Sequence, residues 1–175
     1  MRRAKKPGAG SDSVNKPRSP VLRSSFIQRG GLWVVCQSGL LVGIVLCSIW
    51  FKGGWKSSGL TLLGACFLLV AALCGLFGAS ALGRNLTPFP RPSPNSTVVQ
   101  HGIYGVIRHP LYIAVFCGSI GWALVWGSAP ALALAVTLGP FFDAKARREE
   151  RWLREQFPEY AGYERRVRRF IPWIY

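Results

Sequence analysis

Two polar stretches hold most of the side chains in this chain that could do chemistry. The first, YGVIRHPLY at residues 104–112, sets Arg108 and His109 directly before Pro110 and frames them with Tyr104 and Tyr112. Proline suits the first position of a helix, where the N–H it lacks would be unpaired anyway, and it biases the preceding residue away from helical angles. Arg108 and His109 are therefore expected at a helix entrance. Its free N–H groups and positive dipole end suit an anionic group such as a carboxylate. Gly102 and Gly105, just upstream, let a ligand come close to the main chain. An arginine and a histidine beside an apolar helix are also what an interfacial anchor supplies, and tyrosines at that depth form aromatic belts.

The second stretch begins at Asp143. Asp143, Arg147 and Glu150 recur at helical spacing on one face, and Lys145, Glu149 and Leu153 on another, so the adjacent Glu149 and Glu150 present carboxylates in two directions. A solvated helix with i,i+4 ion pairs such as Glu150 to Arg154 has the same periodicity. Beyond Pro158, residues Tyr160, Tyr163, Val167, Phe170, Ile171, Pro172 and Trp173 suggest an amphipathic segment folded back on an interface.

The elements that must position these residues are apolar and long. Residues 32–51 carry no charge and match the roughly 30 Å apolar core that about 20 helical residues cross. Residues 60–82 are also uncharged and contain Gly64, Gly75 and Gly78, small positions where a neighbouring helix can approach. The apolar region 111–142 is too long for one crossing and is broken by Gly127, Ser128 and Pro130, so it reads as a helical hairpin. The expected fold class is all-α: a multi-pass membrane protein of about four transmembrane helices, 32–51, 60–82, 110–127 and 130–145, with a C-terminal cytoplasmic helix and an interfacial tail. The connection 83–110 opens with the proline-rich NLTPFPRPSPN, which cannot be helical and is expected to run extended across the membrane surface.

Charge sets the expected orientation. Residues 1–30 hold eight basic side chains against Asp12, and the tail 143–175 holds nine against six acids. The connection 83–110 adds Arg84, Arg91 and Arg108, while the other loops offer only Lys52 and Lys56. Both termini and both polar stretches are accordingly expected on the cytoplasmic side, of a bacterial inner membrane or an endoplasmic reticulum membrane. The net charge of +15 flanks apolar spans and does not form one basic soluble domain, so membrane lipids are the expected partner and nucleic acid is not. Residues 1–30 have the composition of a disordered basic tail. The five cysteines, Cys36, Cys47, Cys66, Cys74 and Cys117, lie in apolar segments without metal-ligand spacing, so no metal site is expected.

GIYGVIRHPLY, followed after one hairpin by KARREERWLREQFPEYAGYERRVRRFIP, resembles the isoprenylcysteine carboxyl methyltransferase family and its phospholipid methyltransferase relatives. The family pattern G-x-Y, three residues, R-H-P-x-Y, a hairpin, E-E-x-x-L-x-x-x-F, E-Y-x-x-Y, V-x-R and I-P is present in order over residues 82–172. The resemblance implies an integral membrane methyltransferase that uses S-adenosylmethionine bound on the cytoplasmic side and takes a lipid or prenylated substrate from the bilayer. It implies that Ser96, Thr97, Val98 and Val99 line the cofactor with their backbone, that Tyr104, His109, Pro110, Leu111 and Tyr112 complete the pocket, and that Glu149 binds the cofactor from beyond the hairpin. A carboxylate acceptor needs no general base, only a cation to place it, for which Arg108 and Lys145 are the candidates. An amine acceptor needs a proton acceptor, for which Glu150 or His109 would serve.

The chain departs from the pattern at Ser96, often His, at Gln100, often Thr, at Ala114, often Gly, and at Lys145, often Arg; Ala129-Pro130 replaces the Asn-Pro common at the hairpin tip. Lysine gives a point charge in place of a planar fork, which leaves the acceptor open between a prenylcysteine-like carboxylate, a phospholipid amine and a small thiol. These departures also motivate the alternative of a noncatalytic membrane scaffold that keeps the fold.

Overall fold

The computed structural model describes residues 26–93, 96–172 and 174. Most of the basic N-terminal stretch, and Trp173 of the tail, lie outside the described residues. Five helices follow one another: α1 Gly31–Trp50, α2 Ser58–Leu82, α3 Pro110–Trp126, α4 Ala129–Gln156 and α5 Tyr160–Arg166, with short 3-10 turns at Gly83–Asn85 and Gly102–Gly105. The described residues contain no strand, only an isolated bridge between Ile107 and Arg168.

α1 and α2 are long and apolar enough to cross a membrane. Large apolar side chains stay exposed along both, among them Val35, Val42 and Ile49 of α1 and Leu62, Leu69 and Leu76 of α2. A helix apolar all round and uncovered by protein is matched to lipid. α3 is a shorter apolar helix of 17 residues. α4 has 28 residues, so at 1.5 Å per residue it runs about 42 Å and its polar second half projects beyond its apolar first half.

Local signals set the boundaries. Ser57 caps α2 by accepting from Leu60 N–H. Pro110 starts α3 at its first turn, and Gly127 ends it in the left-handed conformation that glycine adopts without steric cost. Ser128 caps α4 by accepting from Ala131 N–H, while its own hydroxyl donates to Cys47 O at 3.0 Å and so fastens the hairpin tip to α1. At the same end, Gly53 N–H donates to Trp126 O, Gly54 N–H to Gly127 O and Trp55 Nε1 to Leu124 O.

α2 packs along α3, α3 beside α4, and α1 against α4. Small residues let α2 and α3 approach: a Cβ on Gly121 would lie 2.6 Å from Gly64 O, and one on Gly64 2.9 Å from Gly121 O. The core proper runs from Ile44 through Ile120, Ala123 and Leu124 to Ala131, Ala135, Leu138 and Phe142. Loop 83–110 and the tail meet at the opposite end of the bundle from the hairpin tip.

The proline-rich stretch folds back on the bundle. Phe89 meets Phe26 edge to face at 5.6 Å and carries Arg29 over its ring at 4.2 Å, and Pro90 is buried. The expectation of an extended surface run gives way to a cover over the site. Prolines have no N–H to donate to regular structure, but their rings bury well against aromatic side chains.

Candidate active site

The loop that precedes α3 is shaped by its glycine and held by the C-terminal tail. Gly102 has φ +60 and starts the turn that carries Tyr104, whereas Gly105 lies inside that turn without a positive φ. Arg108 N–H donates to Arg168 O at 2.9 Å and His109 N–H to Arg169 O at 3.2 Å. Tyr163 OH donates to Tyr104 O at 2.6 Å. Residues 104–109 are thus clasped by 163–169. The tail takes the main-chain N–H groups of Arg108 and His109, just ahead of the helix.

Glu150 sits at the centre of the charges and is 1% exposed. Its Oε1 lies 3.1 Å from both Arg108 Nη2 and His109 Nε2, and Oε2 accepts from Arg169 Nη2 at 2.6 Å. Burial alone would raise its pKa, but the hydrogen bonds from His109 and Arg169 outweigh it and hold the carboxyl down at about 2. Arg169 also reaches Asp143 at 2.9 Å. The alternative pairing of Glu150 with Arg154 does not form: Arg154 pairs with Glu164 at 2.7 Å instead. Tertiary contacts offered Glu150 two better-buried guanidinium groups and the His109 ring.

On the other side of this hub lies a cavity of about 630 Å³, within the range of small-molecule sites. Its walls come from α1 (Val34, Gln37, Ser38), the loop (Asn85 to Pro90, Pro92, Ser93 and Ser96 to Val99), the start of α3, and Lys145, Glu149 and Leu153 of α4. Tyr112 stacks between His109, 5.1 Å between ring centroids, and Phe142, at 4.9 Å. Its hydroxyl donates to Glu149 Oε2. Glu149 is pushed above its ordinary value by burial, against the lowering pull of His109, Tyr112 and Lys145. Lys145 is 3% exposed, donates to Gln37 Oε1 at 2.7 Å and lies 5.0 Å above the Tyr112 ring centroid. No ion pair within 4.0 Å involves it among the described residues, so its buried positive charge is met by a carboxamide and an aromatic face.

Of the residues singled out from sequence, Ser96, Thr97, Val98, Val99, Tyr104, Arg108, His109, Leu111, Tyr112, Lys145 and Glu149 all line this one cavity. Pro110 and Glu150 do not: Pro110 is buried against the Gly78 position of α2, and Glu150 faces the arginines. A carboxylate locked between two guanidinium groups and held at about 2 is a poor proton acceptor, which weighs against Glu150 as a base. Three contributors were missed. Gln37 stood as a polar interruption of an apolar run, Arg169 as one of several tail arginines, and Asn85, which donates to Thr97 Oγ1 at 3.3 Å, as part of the proline-rich stretch. Gln37 carried the only readable signal, a carboxamide inside an otherwise lipid-facing helix.

The cavity's donor set fits S-adenosylmethionine. Arg108 is buried, and its Nε and Nη1 have no hydrogen-bond partner among the described residues; Nη1 lies 3.1 Å from Glu164 Oε1 but off the direction of a hydrogen bond. Buried guanidinium N–H groups left over in this way suit a carboxylate. Glu149 offers carboxylate lone pairs for a ribose diol, and Tyr104 brings an aromatic side chain to the cavity wall where a sulfonium could meet it, whereas both faces of the Tyr112 ring are taken by His109 and Phe142. No cluster of histidine, cysteine or acidic side chains that could hold a metal occurs among the described residues.

Residues 60–160 match the phospholipid methyltransferase family model. The chain is 32% identical over 170 residues to the cobalt-zinc-cadmium resistance protein CzcN of Cupriavidus metallidurans, covering 93% of this chain and 74% of that protein. It is 26% identical over 171 residues to the protein-S-isoprenylcysteine O-methyltransferase of Rattus norvegicus, covering 93% of this chain and 58% of the rat enzyme. Among solved structures, the eukaryotic intramembrane Ras methyltransferase ICMT superposes with a TM-score of 0.62 at 22% identity, over 82% of this chain and 53% of that one. The chain therefore spans about half the length of that solved protein.

Proposed function

The chain belongs to the phospholipid methyltransferase family, and from that premise we propose that it transfers a methyl group from S-adenosylmethionine to the anionic head of a lipid-like acceptor, in the manner of an isoprenylcysteine carboxyl methyltransferase. We place the reaction at the cytoplasmic face of a membrane crossed four times, by α1, α2, α3 and the apolar half of α4, with loop 83–110 and tail 143–175 forming the cofactor side. The basic flanks and the shared end of loop and tail support that orientation.

One observation carries the reading: a single cavity brings Glu149, bonded to Tyr112, together with the buried cation Lys145, which makes no ion pair among the described residues. S-adenosylmethionine supplies an electrophilic methyl on a sulfonium. The protein's part is then alignment and exclusion of water. Glu149 holds the ribose diol and Arg108 the methionine carboxylate, while Val98, Val99 and the proline-rich cover shut off one side. Lys145, fixed by Gln37 and Tyr112, holds an acceptor carboxylate, which is ionised at neutral pH and needs no base. The same ammonium disfavours a protonated amine, and Glu150 is too firmly paired to deprotonate one. A small thiolate meets the same electrostatic demand as a carboxylate.

The test is calorimetric titration of S-adenosylmethionine into the detergent-purified protein, followed by labelled-methyl transfer to a prenylcysteine. Binding is expected for the parent and for Lys145→Met, and is expected to be lost in Glu149→Ala. Lys145→Met should lower turnover by about ten- to a hundredfold while leaving cofactor affinity within about twofold, because the lost contact is to the acceptor. Folded parent protein with no affinity for the cofactor would return the weight to a noncatalytic scaffold.

A further inference from the structure

A second cleft, of about 290 Å³, lies behind the same loop. It is bounded by Gly105 and Val106 on one wall and by Arg165, Arg166 and Arg168 on the other. All three arginines are exposed, and the one side-chain hydrogen bond any of them makes among the described residues runs from Arg166 Nη2 to Gln100 Oε1 at 3.0 Å. The acids nearby are committed elsewhere, Glu164 to Arg108 and Arg154 and Asp143 to Arg147 and Arg169. Three guanidinium groups around one cleft with no carboxylate among them repel one another. They match the geometry and charge of a phosphate group.

The surroundings say which phosphate. Val106, on the rim, and Ile171 and Ile174, just beyond Arg168, are exposed apolar side chains. Arg168 is bonded through its carbonyl to Arg108 at the start of α3, so the cleft lies level with the point where an apolar helix ends. Basic side chains beside exposed apolar ones at that level are the composition of a lipid head-group site.

We infer that this cleft binds the phosphate of an anionic phospholipid head group, with Val106 and Ile171 against the acyl boundary. It is separate from the methyl-transfer cavity and does not rest on that reaction being right. The two share a wall: Gly105 and Val106 continue the loop whose Tyr104, Arg108 and His109 face the cavity. A lipid seated in the cleft would therefore brace the cofactor loop from behind.

The experiment titrates fluorescent phosphatidylglycerol against the full chain in neutral detergent. Saturable binding is expected, displaced by unlabelled phosphatidylglycerol and weakened by salt, but displaced neither by phosphatidylcholine nor by inorganic phosphate. In Arg165→Gln/Arg166→Gln, binding should weaken about thirtyfold with thermal unfolding unchanged. Undiminished binding in that folded variant overturns the inference. Displacement by phosphatidylcholine overturns it too, as general lipid adsorption, and displacement by inorganic phosphate reassigns the cleft to a free anion. Should the double variant fail to fold, the displacement series on the parent protein decides by itself.

Discussion

Glu149 and Glu150 are neighbours in sequence with opposite environments. Glu150 gains two guanidinium partners and a histidine, and its carboxyl is held down at about 2. Glu149 faces a cavity with one hydroxyl bonded to it, and burial pushes it above the ordinary glutamate value of 4.5. A depressed acid contributes stability that is present above its unfolded pKa and fades as pH falls through the folded one. Thermal unfolding should accordingly show stability from this hub lost between about pH 4.5 and about pH 2. Glu150→Gln should lose about 3–5 kcal/mol at neutral pH, because it removes the buried counter-charge that Arg108 and Arg169 share and leaves them only the more exposed Glu164 and Asp143, and should flatten that acid limb. The sign for Glu149 concerns binding. The groups facing it are His109, Tyr112, Lys145 and Glu150, and its own carboxylate is the form that accepts from a diol. Affinity for S-adenosylmethionine should fall as pH drops through a pKa above 4.5, and calorimetry on Glu149→Gln should find a weak affinity without that dependence.

At the scale of elements, the site is made by a clasp and a close crossing. The segment after α5 gives its carbonyls to Arg108 and His109 and its Arg169 side chain to Glu150 and Asp143, while Phe170 lies 5.8 Å from the His109 ring centroid. Arg169 holds His109 by its carbonyl and acts through its side chain on Glu150, and so on Arg108 and His109, which makes it a positioning residue. Arg169→Ala should raise KM for S-adenosylmethionine about tenfold or more with a smaller change in kcat, and Arg169→Lys should recover only part of it, since an ammonium cannot span both carboxylates as the fork does. A uniform loss of folded protein in both variants, without a KM effect in what remains folded, would assign Arg169 to stability alone. The crossing of α2 and α3 at Gly64 and Gly121 does the complementary job of bringing Gly75 and Leu82 of α2 to the cavity wall.

At the scale of the whole molecule, function follows from polarity along the bundle axis. One end holds the hairpin tip fastened to α1 and the loop before α2; the other holds the clasp, the cavity and the arginine cleft. The long apolar helices between them are exposed to a surrounding medium that must be apolar. If the proposed four crossings hold, a membrane-impermeant maleimide should label Lys56→Cys only in right-side-out vesicles and Arg151→Cys only in inverted ones. Labelling of both from one side would contradict the proposed arrangement. The chain's own Cys36 and Cys66 lie on lipid-facing helix surfaces and should stay unlabelled in either.

What the sequence by itself determined were features with local causes. The apolar runs of α1 and α2, the start of α3 at Pro110, the break at Gly127 and Ser128, and the continuation of α4 into charged residues all follow from composition, capping and backbone restriction within a few residues. The ordered motifs likewise marked which loop and which tail would meet. The tertiary structure alone decided the division of labour between them. Helical periodicity put Glu149 and Glu150 on different faces, but which face met arginine depended on Arg169, 19 residues away, and on His109, 41 away. Gln37 reaches Lys145 across 108 residues. A charged side chain's partner is whichever distant backbone packing brings within about 3 Å, and in a low-dielectric interior that choice sets its protonation and its role. No pattern confined to one segment contains that information.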